Sequence, residues 1–358
     1  MSWLGLALVA CICGCMAPGV PNKAGAIGEP VVFRLANTSL DLLSQNRAAA
    51  DFIERVSALS AGQMRIEVIN SVGGFAPDNE AQVVQAVASG RVDIGITGAG
   101  VFDSMGVLGL RALSAPMLID GYPLQKAVIE SNLTRQMLEQ LHSLNLSGLG
   151  VFAGALHVPV AVQRPLLGPR DWRGISFGTY RSETQEQAIR ALGAVPVEAS
   201  GDLRRHYLDT GDIQGFEFGI RGYSLQEPYL SRAAPYITAN VVLWPGVNVL
   251  FANPVRLGSI SSQDREWLQE ALSAATRDSM GFVGDDGSYI EQECALGTRF
   301  ALAAPADIAA LQTSFAIVYE WLDRDARTKF FIDQIQALKG STSPGQPLAI
   351  PASCLMRS

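Results

Sequence analysis

The chain has 358 residues, 48% of them hydrophobic and 17% charged, a composition that fits a globular protein and excludes a disordered one. Its formal net charge of −7 argues against a nucleic-acid partner, because such a binder would ordinarily present a basic face. The length suffices for two lobes of roughly 150 residues, each with its own core.

The first stretch, MSWLGLALVACICGCMAPGVPNKAGAIGEP, holds an apolar run of about a dozen residues, too short to span a bilayer and built like the hydrophobic region of an export signal. Leu8-Val9-Ala10-Cys11 and Ile12-Cys13-Gly14-Cys15 each resemble the lipobox of bacterial lipoproteins, in which a cysteine is lipidated and becomes the new N-terminus. Cys15 leaves the more usual signal length, and Cys11 has the cleaner motif. No basic residue precedes the run, so the position of the start codon stays open. A plain secretory signal without lipid is the alternative. Either way the body of the protein is expected outside the cytoplasm, in the periplasm or lipid-anchored on the outer face of the membrane. Residues 1–15 then form the signal and 16–30 a linker.

From residue 31 strand and helix alternate. VVFRLAN reads as a strand, SQNRAAADFIERVSALSAG as an amphipathic helix, QMRIEVIN as a strand, DNEAQVVQAVASG as a helix and RVDIGITG as a third strand. This order predicts a parallel sheet with helices on both faces. A second α/β unit follows: SGLGVFAG, VPVAVQR and ISFG as strands, SETQEQAIRALG as a helix, AVPVEA as a strand, GDLRRHYLDTG as a helix and IQGFEF as a strand. ANVVLWPG and VNVLFAN read as two apolar strands parted by Pro245-Gly246, and from Ser262 to Leu338 the pattern is largely helical. The Gly/Ser/Pro-rich tail, 340–358, is expected to be poorly ordered. Two α/β lobes in an exported chain suggest a hinged clamp around a small ligand.

After processing, Cys294 and Cys354 are the only cysteines in the folded part and tail. An oxidising compartment permits a bridge between them, and two unpaired thiols are the alternative. His142, His157 and His206 lie far apart without partners at ligand spacing, so no metal and no cofactor is expected.

The segments VVFRLANTS, SVGGFAPDNEAQVVQAVASGRVDIGITG, LSAPMLI and PRDWRGISFGTYRSETQEQAIRALGAVPVEASGDLRRHYLDTGDIQGFEF, in this order and spacing, resemble the substrate-binding proteins of TRAP (tripartite ATP-independent periplasmic) transporters, of the DctP type. The resemblance runs from about residue 31 to 335. It implies a two-lobed, periplasmic-binding-protein-like α/β clamp of type II-like form, with long C-terminal helices packing across both lobes. The implied boundaries are 31–154 plus about 243–286 for lobe I and 155–242 plus about 287–339 for lobe II. The implied partners are a small-molecule ligand and the small and large membrane subunits of a TRAP permease. Within the implied long helix from Ser262, Gly281, Gly284 and Gly287 are candidate breaks.

Family members that bind organic acids carry an arginine at the end of the strand after the D-l-x-G turn, and a guanidinium there grips a carboxylate with two parallel hydrogen bonds. Counted from Gly174, that position here is Gly178. A second family arginine, after the fourth strand of the first lobe, falls on Leu156 or His157. Gly178 is therefore expected to leave space beside the ligand, with Arg181 as a candidate substitute or else a solvated helix-start residue. A buried carboxylate without a partner is costly, which favours a neutral, polyhydroxylated, aromatic or cationic ligand.

Other lobe-facing candidates are Asn37 and Asp41 after the first strand, Thr97 and Phe102 after the third, Glu217 and Phe218 in IQGFEF, and Trp244 and Asn248 around the Pro-Gly pair. Aromatic walls with a few convergent polar groups suit a small-molecule cleft. Each has a structural alternative, such as Trp244 as core and Glu217 as a hinge brace; the glycine pair of SVGGFAPDNE is a candidate to receive an anion on the amides of the helix that follows, or else a turn with Asp78 capping that helix. A secreted hydrolase is a rival reading, but it needs an activated nucleophile with a base and an orienting acid, and neither His157 nor His206 has an identifiable partner in the sequence. A binder serving an ABC importer or a sensor kinase is the other.

Overall fold

The computed structural model describes residues 29–74, 76–199, 201–225, 229–284 and 286–356. The signal, most of the linker, and Cys11 and Cys15 lie outside the described residues. Ten strands form the frame: β1 Val31–Ala36, β2 Met64–Ile69, β3 Ile94–Gly98, β4 Ser147–Ala161, β5 Ser176–Thr179, β6 Val195–Glu198, β7 Gly215–Gly219, β8 Tyr236–Thr238, β9 Trp244–Ala252 and β10 Arg299–Ala301. They pair in the order β2-β1-β3-β9-β4-β7-β5-β6, with β8 also on β4 and β10 on β8. β1 runs parallel to β2 and β3, and β5 runs parallel to β6 and β7. These are two α/β lobes, welded by the antiparallel pair β4 and β9.

The first lobe builds around the helix Arg47–Leu59. The Asn46 side chain caps it by accepting from Ala49 N–H, and Ala48, Ala49, Phe52 and Val56 fall on its buried stripe. That stripe packs against Leu268, Ala271 and Ala275 of the helix Ser262–Ser279, which begins in a Ser261/Asp264 capping box. This long helix ends at Ser279, and a further helix starts at Asp286, so the break falls at the glycine-containing segment 280–284. Near the C-terminus, helix Ala316–Leu322 packs on Glu183–Ala191. In Ala326–Ser341, Thr328 Oγ1 donates to Leu108 O at 2.8 Å, so the C-terminal helices touch both lobes.

Three expectations change. SGLGVFAG and VPVAVQR are one fifteen-residue strand, β4, with an irregularity between Ala153 and Leu156 instead of a turn. Pro245-Gly246 likewise lies inside β9 rather than between strands, because Pro245 sits opposite Leu156 at that irregularity. The two strands approach so closely that a Cβ on Gly154 would stand 2.9 Å from Gly246 O. Gln125 Nε2 pins the crossing by donating to both Gly154 O and Gly246 O at 3.0 Å. The tail is also tied down. Cys294 and Cys354 are disulfide-bonded, and Phe300 N–H donates to Cys354 O while Met356 N–H donates to Phe300 O. The bridge removes the free-thiol alternative, and Cys354 is buried.

Candidate functional site

A cavity of about 420 Å³ opens where the β1–β3 lobe and the β5–β7 lobe meet at the β4/β9 crossing. Strand ends and helix starts supply its wall, as the topology of an open α/β sheet requires. Four of the residues singled out from sequence line it: His157, Phe218, Trp244 and Asn248.

The others take different places. Asn37 is buried and bonded within its own loop, donating to Ile69 O and Asn70 Oδ1 and accepting from Ser39 N–H. Asp41 caps the helix Leu42–Gln45. Thr97 is buried, and Phe102 packs edge-on against Phe251 in the core. Arg181 lies 4.0 Å from Glu198, outside the cavity wall. The expected gap at Gly178 does not exist. A Cβ there would meet Ile213 Cδ1 at 3.1 Å and the Cβ atoms of Ala199 and Phe216 at 3.2 Å, because this face of β5 looks into the lobe's own core. Leu156 is buried in β4.

His157 and Glu217 form a pair. Strands β4 and β7 run antiparallel, with Pro159 opposite Glu217, and His157 Nδ1 meets Glu217 Oε2. Nδ1 is the ring nitrogen engaged by the carboxyl group, and Nε2 lies beside Gly246, 3.2 Å from where a Cβ on that glycine would stand. Glu217 is buried behind the histidine, and its Oε1 has no hydrogen-bond partner among the described residues. Its expected role as a hinge brace through the backbone is replaced by this side-chain contact.

Several residues of the site carried no decisive sequence signal. Glu80, in the first turn of helix Asn79–Ala88, accepts from Gly98 N–H at 2.8 Å at the end of β3. Burial raises its pKa from the ordinary 4.5 to about 7; the Gly98 hydrogen bond opposes the rise and Glu198 adds to it. Tyr180 follows Thr179 into the wall, and burial raises its hydroxyl's pKa, opposed first by the charge of Arg204. Arg204, 3% exposed, stacks at 4.0 Å from the centre of the Phe218 ring and hydrogen-bonds to Tyr180. Trp244, 1% exposed, holds Nε1–H without a partner among the described residues. Arg47 and Arg221 complete the charged lining. Arg221, Glu80 and Tyr180 each stand at a strand-to-helix junction, the same rule that pointed to Phe218. Arg204 lies mid-helix, and only the fold turns it inward.

Among the described residues no group of His, Cys, Asp and Glu side chains could hold a metal ion. No helix among them is long and apolar enough to cross a membrane.

A two-lobed α/β frame with a polar cavity at the junction is the architecture of a solute-binding clamp. The comparisons agree. The model of the DctP family, described as bacterial extracellular solute-binding protein, family 7, matches residues 38–324, and the chain belongs to that family. Among curated relatives, the C4-dicarboxylate-binding periplasmic protein DctP of Rhodobacter capsulatus is 23% identical over 210 residues, covering 59% of this chain and 62% of that protein. The C4-dicarboxylate-binding protein DctB of Bacillus subtilis is 23% identical over 194 residues, 53% of each chain. The matched stretches thus span about three-fifths and about half the length of these relatives. Among solved structures, a TRAP periplasmic solute-binding protein of Ralstonia eutropha with bound (S)-2-acetolactate superposes with a TM-score of 0.78 at 16% identity, over 87% of this chain and 99% of that one. One from Chromohalobacter salexigens with bound D-glucuronate gives 0.76 at 18% identity, over 86% and 99%. At these identities the structures show the shared fold.

Proposed function

We propose that this protein captures one small polar solute in the cavity between its lobes and hands it to the small and large membrane subunits of a TRAP transporter. The observation that carries the reading is the cavity itself. Both lobes line it with hydrogen-bonding and charged groups on an aromatic wall, so a solute gains its full contacts only when the lobes are together. The mixture of Glu80, Tyr180, Gln185 and His157 on this wall suits a solute with several hydroxyl groups. D-glucuronate in the Chromohalobacter relative and galacturonate in one from Sulfitobacter are ligands of that chemistry.

A binder is favoured over a hydrolase. The single hydrogen-bond partner of the His157 ring among the described residues is Glu217, and a hydrolase of that class needs a nucleophile on its base. A lipid on Cys15 or Cys11 as membrane tether is part of the proposal and rests on the sequence motif alone. Mass spectrometry of cell-derived protein checks it, and an unmodified N-terminus downstream of Cys15 contradicts it.

The test of function is a thermal-shift panel of organic acids, sugars, sugar acids, amino acids, polyamines and aromatic compounds. A solute at 100 times its dissociation constant adds about 2.7 kcal/mol of stability. The reading expects at least one such hit, unchanged after hours with the protein. Turnover of an ester or glycoside panel would overturn it.

A further inference from the structure

We infer that the cavity holds the acidic end of its solute between Arg47 and Arg221, a clamp relocated from the family's arginine positions. The inference rests on the solute-binding reading and specifies which residues select the ligand. Both arginines line the cavity, and they come from opposite lobes: Arg47 opens the helix that packs on β2, and Arg221 follows β7. They converge on Phe282. Arg221 donates from Nη1 to Phe282 O at 3.1 Å, and the Arg47 guanidinium lies 5.9 Å from the centre of the Phe282 ring.

Arg221 is held for the task. Its Nε donates to Tyr289 Oη at 3.2 Å, and with the Phe282 bond this fixes the guanidinium plane, while the other three of its five N–H groups have no partner among the described residues. Among the described residues no carboxylate lies within ion-pair distance of it. Arg47 has only Glu54, 3.9 Å away with both side chains more than half exposed, a pairing of little strength. Both cations are therefore available.

The backbone adds to them. Asn46, Arg47 and Ala48 all face the cavity at the start of a thirteen-residue helix. The Asn46 side chain serves Ala49 N–H, and no acceptor among the described residues meets the N–H groups of Arg47 and Ala48. Such groups carry the positive end of the helix dipole.

Glu80 and His157, the latter backed by Glu217, also line or support the cavity wall and offer hydrogen-bonding groups to the hydroxyl or ammonium donors of the solute, which leaves its carboxylate to the arginines. The solute is thus a small acid that also carries donor groups. Because the two arginines sit on different lobes, the same carboxylate also bridges the closed state.

Matched pairs test this: D-glucuronate against D-glucose, D-galacturonate against D-galactose, and 2-hydroxy acids against their amides, by calorimetric titration at low salt. Acids should bind more tightly than their uncharged partners. Arg47→Gln and Arg221→Gln should each weaken the acid roughly ten-fold or more relative to its uncharged partner. Arg221→Lys keeps the charge without the fork and should fall between. The exposed Arg47 guards against misfolding, since its variant should melt with the parent when ligand-free. Acid affinity untouched by either glutamine variant overturns the clamp, as does a tightest ligand that is uncharged or cationic, and both leave solute capture standing. A panel in which nothing binds overturns both readings.

Discussion

Glu80→Gln isolates a single buried carboxyl at the cavity wall. Its Oε1 accepts from Gly98 N–H at 2.8 Å, and an amide oxygen can take the same bond, so the variant removes the charge and keeps the contact. Burial raises the carboxyl's pKa from 4.5 to about 7. Between those values the folded chain keeps a proton that the unfolded chain has lost, so the stability of the parent declines as pH rises through this window and levels off above it. A displacement of that size is worth about 3 kcal/mol when complete, and the side chain's residual exposure to the cavity makes this an upper figure. Urea unfolding of the ligand-free parent and variant at pH 5, 6, 7 and 8 should show near-equal stability at pH 5. By pH 8 the variant should lead by about 1–3 kcal/mol. Parallel pH profiles, or a variant less stable at pH 8, would show that the carboxyl is not desolvated and refute the reasoning.

Gly178→Ala should cost about 1–3 kcal/mol in urea unfolding, because its Cβ meets Ile213, Ala199 and Phe216 within 3.2 Å. Gly178→Arg should cost more and restore no acid binding; a gain in acid affinity at unchanged stability would contradict the packing seen here. Reducing Cys294–Cys354, with a sequence separation of 60, should remove about 4 kcal/mol and lower the melting temperature; an unchanged melt with reductant shows that the tail's backbone bonds suffice. Asp103 accepts from Thr184 N–H at 2.7 Å and Ser182 Oγ at 3.1 Å and pairs with the mostly buried Arg111. Asp103→Ala should therefore cost about 3–5 kcal/mol, and a loss below about 1 kcal/mol would show the network to be dispensable.

Much of the frame was legible because its signals are local. The alternation from VVFRLAN to RVDIGITG and from ISFG to IQGFEF fixed β1 to β3 and β5 to β7 through periodicity and glycine stops. The crossing of β4 and β9 was not, because proline and glycine usually end strands. There the close approach of Gly154 to Gly246, braced by a distant Gln125, is a tertiary fact. β8 and β10 are three residues each, too short to carry a pattern. In the site, Phe218 follows from its place at a strand end, Trp244 and Asn248 from flanking Pro245-Gly246, and His157 from the family's second arginine position. Gly178 misled because its facing depends on which side of β5 Ala199, Ile213 and Phe216 pack, which is a tertiary fact. Arg204, Arg221 and Arg47 were missed for a related reason: a family position was searched for a charge that the fold supplies from other elements.

The central claim is that one solute is held between two lobes, and small-angle scattering tests it most directly. The solute with the largest thermal shift would be added at 100 times its dissociation constant, and profiles recorded with and without it. The account predicts a smaller radius of gyration with ligand, because contacts from both lobes are gained only in the closed state. An unchanged radius alongside confirmed one-to-one binding would contradict the clamp.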